Sequence, residues 1–160
     1  MIYDYFETRL VGTLILASDE QGLRCIKFNN SNTAVTIGKD WKRNPAFFKK
    51  TKMQLAAYFN GELRKFDLPL APEGTAFQQR VWEILQKIPY GRVATYQWVA
   101  DRIGNPRAVR AVGGAIGKNR LAIVIPCHRV IGSNGSLTGF GGGLDRKQCL
   151  LELEGYEISL

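Results

Sequence analysis

One histidine occurs in the 160-residue chain, and a cysteine stands directly before it, in Ile125-Pro126-Cys127-His128-Arg129-Val130. A thiol reacts as its thiolate and has an ordinary pKa of about 8.5, so a nucleophilic cysteine needs a neighbouring base or proton relay. His128 is the only imidazole available for that work. The pair alone decides nothing. A cysteine in an apolar stretch is commonly inert core, and neighbours along a strand point to opposite faces. The apolar run from Leu121 to Ile125 reads as a buried strand. Pro126 has no N–H to give a ladder and biases Ile125 toward an extended conformation, so the strand is expected to stop there, with the thiol just past its end.

The remaining chemistry-bearing residues narrow the class. Three cysteines, Cys25, Cys127 and Cys149, are too few and too odd for a disulfide framework, and they fit a reducing compartment. One histidine and no Cys-x-x-Cys pair leave no zinc site in view. The 22 Lys and Arg exceed the 14 Asp and Glu, giving a net charge of +8. That excess points to an anionic partner, or to a soluble protein that is merely basic. The excess is uneven: Gly91 to Val130 holds seven Arg or Lys and one acid, Asp101. No secretory signal is evident at the N-terminus, and no stretch approaches the roughly 18 apolar residues of a membrane span.

The elements that must position these residues fall into two halves. Met1 to about Phe28 reads as β-structure, with Asp19-Glu20-Gln21-Gly22 as a turn between two strands. Pro45 opens a helix that Asn60-Gly61 ends, with Phe48, Leu55 and Phe59 near one face. Phe66 to Leu70 reads as a further short strand. Residues 71–75 have linker composition, which divides the chain into domains 1–70 and 76–160. Thr75 is placed to cap a helix whose Phe77, Val81, Ile84, Leu85 and Ile88 form a core face.

Thr95 caps a short helix through Ile103, Gly104-Asn105-Pro106 makes a turn, and a second helix is expected from about Pro106 to Ile116. The pattern is a helix-turn-helix or a plain helix hairpin. The adjacent Gly113 and Gly114 each cost about 1 kcal/mol inside a helix, a cost that close approach of another backbone, the protein's own or a nucleic acid's, would offset. Gly132 to Gly143 is a glycine-rich loop without the Gly-Lys-Ser/Thr of a phosphate cradle, and reads as a flexible wall over a pocket. A last helix runs from about Asp145 to Glu154, with Cys149, Leu150 and Leu153 on its buried face.

Phe77 with Val81-Trp82, Ile88-Pro89-Tyr90-Gly91, Thr95-Tyr96, Gly104-Asn105-Pro106, Arg110 to Ala115, Asn119, Ile125 to Val130 and Gly141 to Leu144 together resemble the O6-alkylguanine-DNA alkyltransferases. The resemblance covers Ala76 to Gly155, and the first 70 residues fit the family by layout alone. It implies an α/β (α+β) protein. An RNase H-like antiparallel sheet with a helix would precede a mostly helical domain carrying a helix-turn-helix and a short active-site strand. The implied reaction is repair of double-stranded DNA by moving the alkyl group from O6-alkylguanine, and from O4-alkylthymine, to Cys127, irreversibly and without a cofactor or metal.

The resemblance makes His128 a water-linked proton relay, oriented by Glu154. Tyr96 would protonate the leaving guanine and help rotate the nucleotide. Arg110 would enter the duplex where the base was, since the target atom lies inside the stack and the base must be flipped out. Thr95, Arg107, Ala111, Gly113, Gly114 and Ala115 would lie against the minor groove. Asn119 would brace the helix-turn-helix against the active-site strand, and backbone groups of Cys127 and Val130 would read the guanine edge. Phe140 stands where many members have tyrosine and Gly141 where some have serine, which bears on alkyl-group and inhibitor preference. The protein is expected to be a monomer in the cytoplasm or on the nucleoid.

Three rivals fit parts of the pattern. An alkyltransferase-like protein binds alkylated DNA without repairing it, but that class lacks the cysteine. A plain helix-turn-helix module gives no reason for Cys127-His128 or Tyr96. A cysteine hydrolase would need an oxyanion hole and has no use for a basic surface. The basic stretch makes one expectation independent of mechanism. Binding to unmodified duplex should weaken with salt at a log–log slope of about −0.9 per phosphate contact. Fluorescence anisotropy across a salt series measures it, and a flat response would remove the phosphate-binding reading of Gly91 to Val130.

Overall fold

The computed structural model describes residues 1–29, 35–140 and 142–156. Strands β1 (Ile2–Thr8), β2 (Gly12–Asp19) and β3 (Gly22–Phe28) form an antiparallel meander, and the short β4 (Lys42–Arg43) pairs parallel to β1, giving the order β3-β2-β1-β4. The central strand β2 is buried on both faces, so its apolar run is continuous where a one-faced strand would alternate. Leu14 and Leu16 enter the main core, while Ile15 and Ala17 join Cys25 in a small cluster under Tyr3, Tyr5 and Trp41. Burial lifts the Cys25 thiol to about 11, which keeps it protonated and unreactive.

Pro45–Phe48 forms a 3-10 turn that leads into helix α1 (Lys49–Phe59), in agreement with the proline signal. Buried Asp4 on β1 holds β4 through Arg43 at 2.8 Å and ties α1 to the sheet through Lys52. The expected strand at Phe66 to Leu70 is not formed. Only Leu70 bridges to Leu23, at the outer edge of β3, and the rest of the segment makes no ladder.

Helix α2 (Ala76–Leu85) begins at Thr75 with a capping box: the Thr75 hydroxyl accepts from Gln78 N at 3.1 Å, and Thr75 N donates to Gln78 Oε1 at 3.0 Å. It buries Val81, Trp82, Ile84 and Leu85, and the Trp82 indole N–H is satisfied by the Ala115 carbonyl at 2.9 Å. Next come β5 (Ala94–Thr95), α3 (Tyr96–Ile103) and α4 (Val109–Gly117), then β6 (Val130–Ile131), which pairs parallel to β5, and α5 (Leu144–Leu153). α4 starts three residues later than expected, because Pro106 and Arg107 lie in the turn. One contiguous core spans the sheet and all five helices, from Leu14, Leu16 and Ile26 through Leu55 and Tyr58 to Val81, Val99, Val112 and Leu150.

No strand runs from Leu121 to Ile125. Leu121 alone bridges to Ile26, residues 122–124 form a turn, and Cys127–Arg129 is a 3-10 turn. The short strand of this region, β6, follows the thiol. The apolar run is buried as expected, but along a turned backbone; periodicity alone cannot tell that from a strand.

Thr75→Ala removes half of the capping box. It should destabilise the protein by about 1 kcal/mol and lower its melting temperature by about 2–4 °C. Calorimetry tests this, and an unchanged melting temperature would mean that water replaces the cap at no cost.

Candidate active site

Cys127 is presented by a sequence of tight turns. Val124 N donates to Ala122 O at 2.8 Å across Ile123, whose φ of 73° is the only positive value at a non-glycine among the described residues. Ile125 N donates back to Leu121 O at 2.9 Å. Pro126, at φ −80° and ψ 66°, makes an inverse γ-turn closed by Cys127 N to Ile125 O at 2.8 Å. A β-branched residue at positive φ is strained by roughly 1–3 kcal/mol and persists only where its surroundings hold it. Here Arg120 O accepts from Ile26 N at 2.8 Å and Ile26 O accepts from Ala122 N at 2.9 Å, so the edge of β3 grips the loop. Asn119, just after α4, donates to Ile125 O at 2.9 Å and accepts from Leu121 N at 2.9 Å.

The thiol lines a cavity of about 400 Å³ together with Ile116, Asn119, Ala122, Gly139 and Phe140. The outer wall adds Lys27 and Phe28 of β3 with Lys118 and Arg120. Phe28 meets Phe140 edge-on at a centroid distance of 5.5 Å. It also lies so close to Gly142 that a Cβ there would come within 2.5 Å of its ring. Burial raises the Cys127 thiol above its ordinary value, opposed by Asn119 and by the charge of Lys147. Cys127 at rest is therefore a neutral thiol.

Behind it lies a closed ionic cluster. His128 Nε2 is 2.7 Å from Glu154 Oε2, and both side chains are fully buried. Arg129 clamps the same carboxylate, Nε to Oε1 at 2.7 Å and a second nitrogen to Oε2 at 3.1 Å, and donates to Ile88 O at 2.7 Å. Burial alone would raise the Glu154 carboxyl; His128 and Arg129 outweigh it and bring it down to about 2. An ionised carboxylate only accepts, so the His128 proton sits on Nε2. Nδ1 is left as a bare acceptor, the one buried side-chain nitrogen or oxygen without a partner among the described residues. Burial holds the imidazole below its usual pKa against the pull of Glu154, so it is neutral and able to take a proton.

Lys147 is a functional candidate that the sequence reading missed. Its ammonium is buried, donates to Val130 O at 2.5 Å and Thr138 O at 2.9 Å, and is lowered by burial to about 8. Helical spacing puts it one turn before the buried Leu150 and Leu151, but a lysine is ordinarily a surface residue, so its type hid its place. The Thr138 hydroxyl in turn is hydrogen-bonded to Tyr96 Oη at 3.0 Å, and either hydroxyl can be the donor. Tyr96 does not line the cavity; its ring lies 4.0 Å from where a Gly113 Cβ would be. Val130 has its N–H on Cys127 O and its carbonyl on Lys147, so any reading of a base edge by that carbonyl uses its second lone pair.

On the helix-turn-helix, Arg107, Arg110, Ala111, Gly114, Gly117 and Lys118 are exposed along one stripe. A Cβ on Gly114 would meet nothing within 4 Å, so the protein's own backbone is not what the glycine accommodates. Ala115 departs from the expected surface. It is buried at 3% exposure, packed toward α2, and only its carbonyl is used, by Trp82. Thr95 spends its hydroxyl on capping α3, accepting from Trp98 N at 3.0 Å. Gly141 lies outside the described residues.

The family is shown by comparison with known proteins. The DNA-binding domain model of 6-O-methylguanine DNA methyltransferase matches residues 76–156, and its ribonuclease-like domain model matches residues 1–72. A methylated-DNA–protein-cysteine methyltransferase of Methanosarcina acetivorans is 50% identical over 155 residues, 97% of this chain and 99% of the relative. One from Haemophilus influenzae is 45% identical over 155 residues, 96% of this chain and 86% of the relative. The crystal structure of Mycobacterium tuberculosis OGT in complex with DNA superposes with a TM-score of 0.89 at 46% identity, over 96% of this chain and 92% of that one. The chain belongs to the 6-O-methylguanine DNA methyltransferase family.

The depressed Glu154 pKa carries a stability prediction. The unfolded chain takes up a proton near 4.5 and the folded chain only near 2, so this contribution is complete above about pH 4.5 and is lost as pH falls toward 2. It amounts to about 3 kcal/mol. His128, held below 6.5, acts in the same direction from a higher starting pH. In thermal melts between pH 2 and 7, Glu154→Gln should be less stable at neutral pH and should lose less on acidification below 4.5. Parallel curves for the two proteins would show that the carboxylate is not held ionised by the fold.

Proposed function

We propose that the protein repairs alkylated DNA by transferring the alkyl group from O6 of guanine to Cys127 Sγ. The observation that carries this reading is the thiol in the cavity wall, with a neutral His128 and an ionised Glu154 sealed behind it, beside an exposed basic helix. The thiol proton passes to His128 Nδ1, with a water between them in the family pattern, and Glu154 stabilises the imidazolium that forms. Sγ attacks the alkyl carbon, the S–C bond forms as the C–O6 bond breaks, and the electron pair goes to the guanine. Tyr96 gives its proton to the departing guanine and regains one from solvent, and the thiol proton leaves His128 to water.

Lys147 adds positive charge near the forming thiolate and joins Thr138, hence Tyr96, to the same frame. Arg110 fills the gap left by the flipped nucleotide, while Arg107 and the exposed Ala111 and Gly114 let α4 lie against the minor groove. Asn119 links that helix to the Cys127 loop. Phe140 and Gly141 set which alkyl groups fit. Residues 1–70 and 76–160 are two domains joined at 71–75 that share one contiguous core, in a monomer of the cytoplasm. No helix among the described residues is long and apolar enough to cross a membrane.

A thioether carbon is a poor electrophile, and neither His128 nor Glu154 makes a centre that water opens. One alkyl group is therefore accepted per chain. Titration with excess duplex containing O6-methylguanine, followed by intact mass, should show one added methyl group and then no further demethylation. Cys127→Ser should show none while still binding DNA, and Cys25→Ser and Cys149→Ser should behave as the parent. Turnover beyond one equivalent, or transfer by Cys127→Ser, would overturn the assignment.

A further inference from the structure

We propose that Tyr58, on α1, is a positioning residue for proton transfer at Cys127, fixing the place and the basicity of the Glu154 carboxylate that His128 leans on. The inference rests on the His128 relay proposed above and extends it into the sheet half of the chain. Tyr58 is completely buried, and its hydroxyl donates to Glu154 Oε2 at 2.6 Å. That is the same oxygen that lies 2.7 Å from His128 Nε2. Burial and the adjacent carboxylate push the phenol far above its ordinary pKa, so it remains a donor throughout the working range.

Packing alone gives no reason for the hydroxyl. The ring of Tyr58 lies against Phe59, Phe66 and Tyr90, contacts that a phenylalanine would keep. The carboxylate's other partners all come from the helical half. His128 and Arg129 sit on one three-residue turn, and the Gly91 N–H approaches Oε1 at 3.5 Å. His128 and Arg129 fix Glu154 relative to their own turn only. Tyr58 enters from α1 and fixes it relative to the sheet.

The chemical consequence follows from sharing one oxygen between two donors. Tyr58 is neutral, so it draws on Oε2 without changing the charge of the cluster. Less of that oxygen's acceptor strength is then spent on Nε2–H, and His128 does not become imidazolium at rest. The charged groups facing His128 are Glu154, which favours protonation, and Arg129 and Lys147, which oppose it; Tyr90 also borders the carboxylate. Without the Tyr58 hydroxyl, Oε2 turns wholly to His128 and the imidazole becomes a stronger base.

Tyr58→Phe keeps the ring and deletes only the donor. The readouts are the ¹⁵N NMR titration of the single histidine, the pH profile of transfer, and thermal melting. The protonation of His128 should rise by about one pH unit, the size set by one hydrogen bond to a charged group. The acid limb of the transfer profile should move with it, giving a several-fold slower reaction on that limb and a smaller difference at high pH. An unshifted His128 titration overturns the proposal whatever happens to rate or melting temperature, because a bracing role in the fold would leave the imidazole untouched. His128→Asn distinguishes the two levels. Parent-like transfer by that variant sinks the relay itself, whereas lost transfer there with an unshifted Tyr58→Phe titration sinks only the role of Tyr58.

Discussion

A single buried carboxylate, Glu154, holds the two halves of this protein in register around the reactive thiol. An isolated carboxylate in such a place would be protonated, because burying an unpaired charge costs more than neutralising it. Arg129 removes that option with a two-pronged contact, and the pair is close to neutral as a unit. His128 and Tyr58 then complete the hydrogen bonding of the oxygens. The groups converge from the 3-10 turn at Cys127, from α1 and from the segment after α2, where the Ile88 carbonyl takes the remaining arm of Arg129. A carboxylate held by this many donors tolerates few alternative arrangements, which is how buried polar networks specify a geometry. The geometry specified is an imidazole with its proton on Nε2, toward Glu154, and a free lone pair on Nδ1.

Much of this architecture could be read from the chain, and the failures have physical causes. The caps were legible because they are local chemistry. Thr75 with Gln78 three residues on, and Thr95 with a helical pattern after it, need no tertiary information. The core face of α2 was legible from its spacing. The run from Leu121 to Ile125 was misread as a strand because apolar content reports burial and leaves the backbone path open. That path is set by the Ile26 edge and by Asn119, distant in sequence or outside the run. Lys147 and Tyr58 were missed for a related reason. A lysine between Arg146 and Gln148, and a tyrosine among the aromatic residues of an amphipathic helix, carry no sequence mark of an inward-facing polar atom. Ala115 was placed on the DNA face by carrying over a motif whole, whereas helical rotation sends Ala111 and Gly114 out and Ala115 in.

The loop before the thiol shows how strain and support are balanced. Ile123 occupies a backbone region that favours glycine, and a glycine there would remove the strain. It would also remove a fully buried side chain from the core, where Ile123 is 1% exposed. Burial of an isoleucine contributes roughly 1.5–3 kcal/mol, comparable with the cost of the dihedral, so the two nearly offset. The hydrogen bonds from Ile26 and Asn119 then decide the conformation. Since Asn119 lies two residues past the end of α4, the support of the Cys127 loop and the seat of the helix that exposes Arg110 are one structure.

A neutral, buried thiol is the resting form that a single-use acceptor requires. An exposed, low-pKa thiolate would react with any soft electrophile or oxidant that reached it, and each such event would consume the chain. Burial raises the thiol instead, and two groups stand ready to ionise it: a lone pair on His128 without a partner among the described residues, and the positive charge of Lys147. Both act most strongly when water is excluded, because a lower dielectric strengthens the fields that stabilise a thiolate and an imidazolium side by side. Under the function proposed above, a flat base entering the cavity beside Phe28 and Phe140 would supply that exclusion, and the nucleophile would be generated in the presence of its substrate.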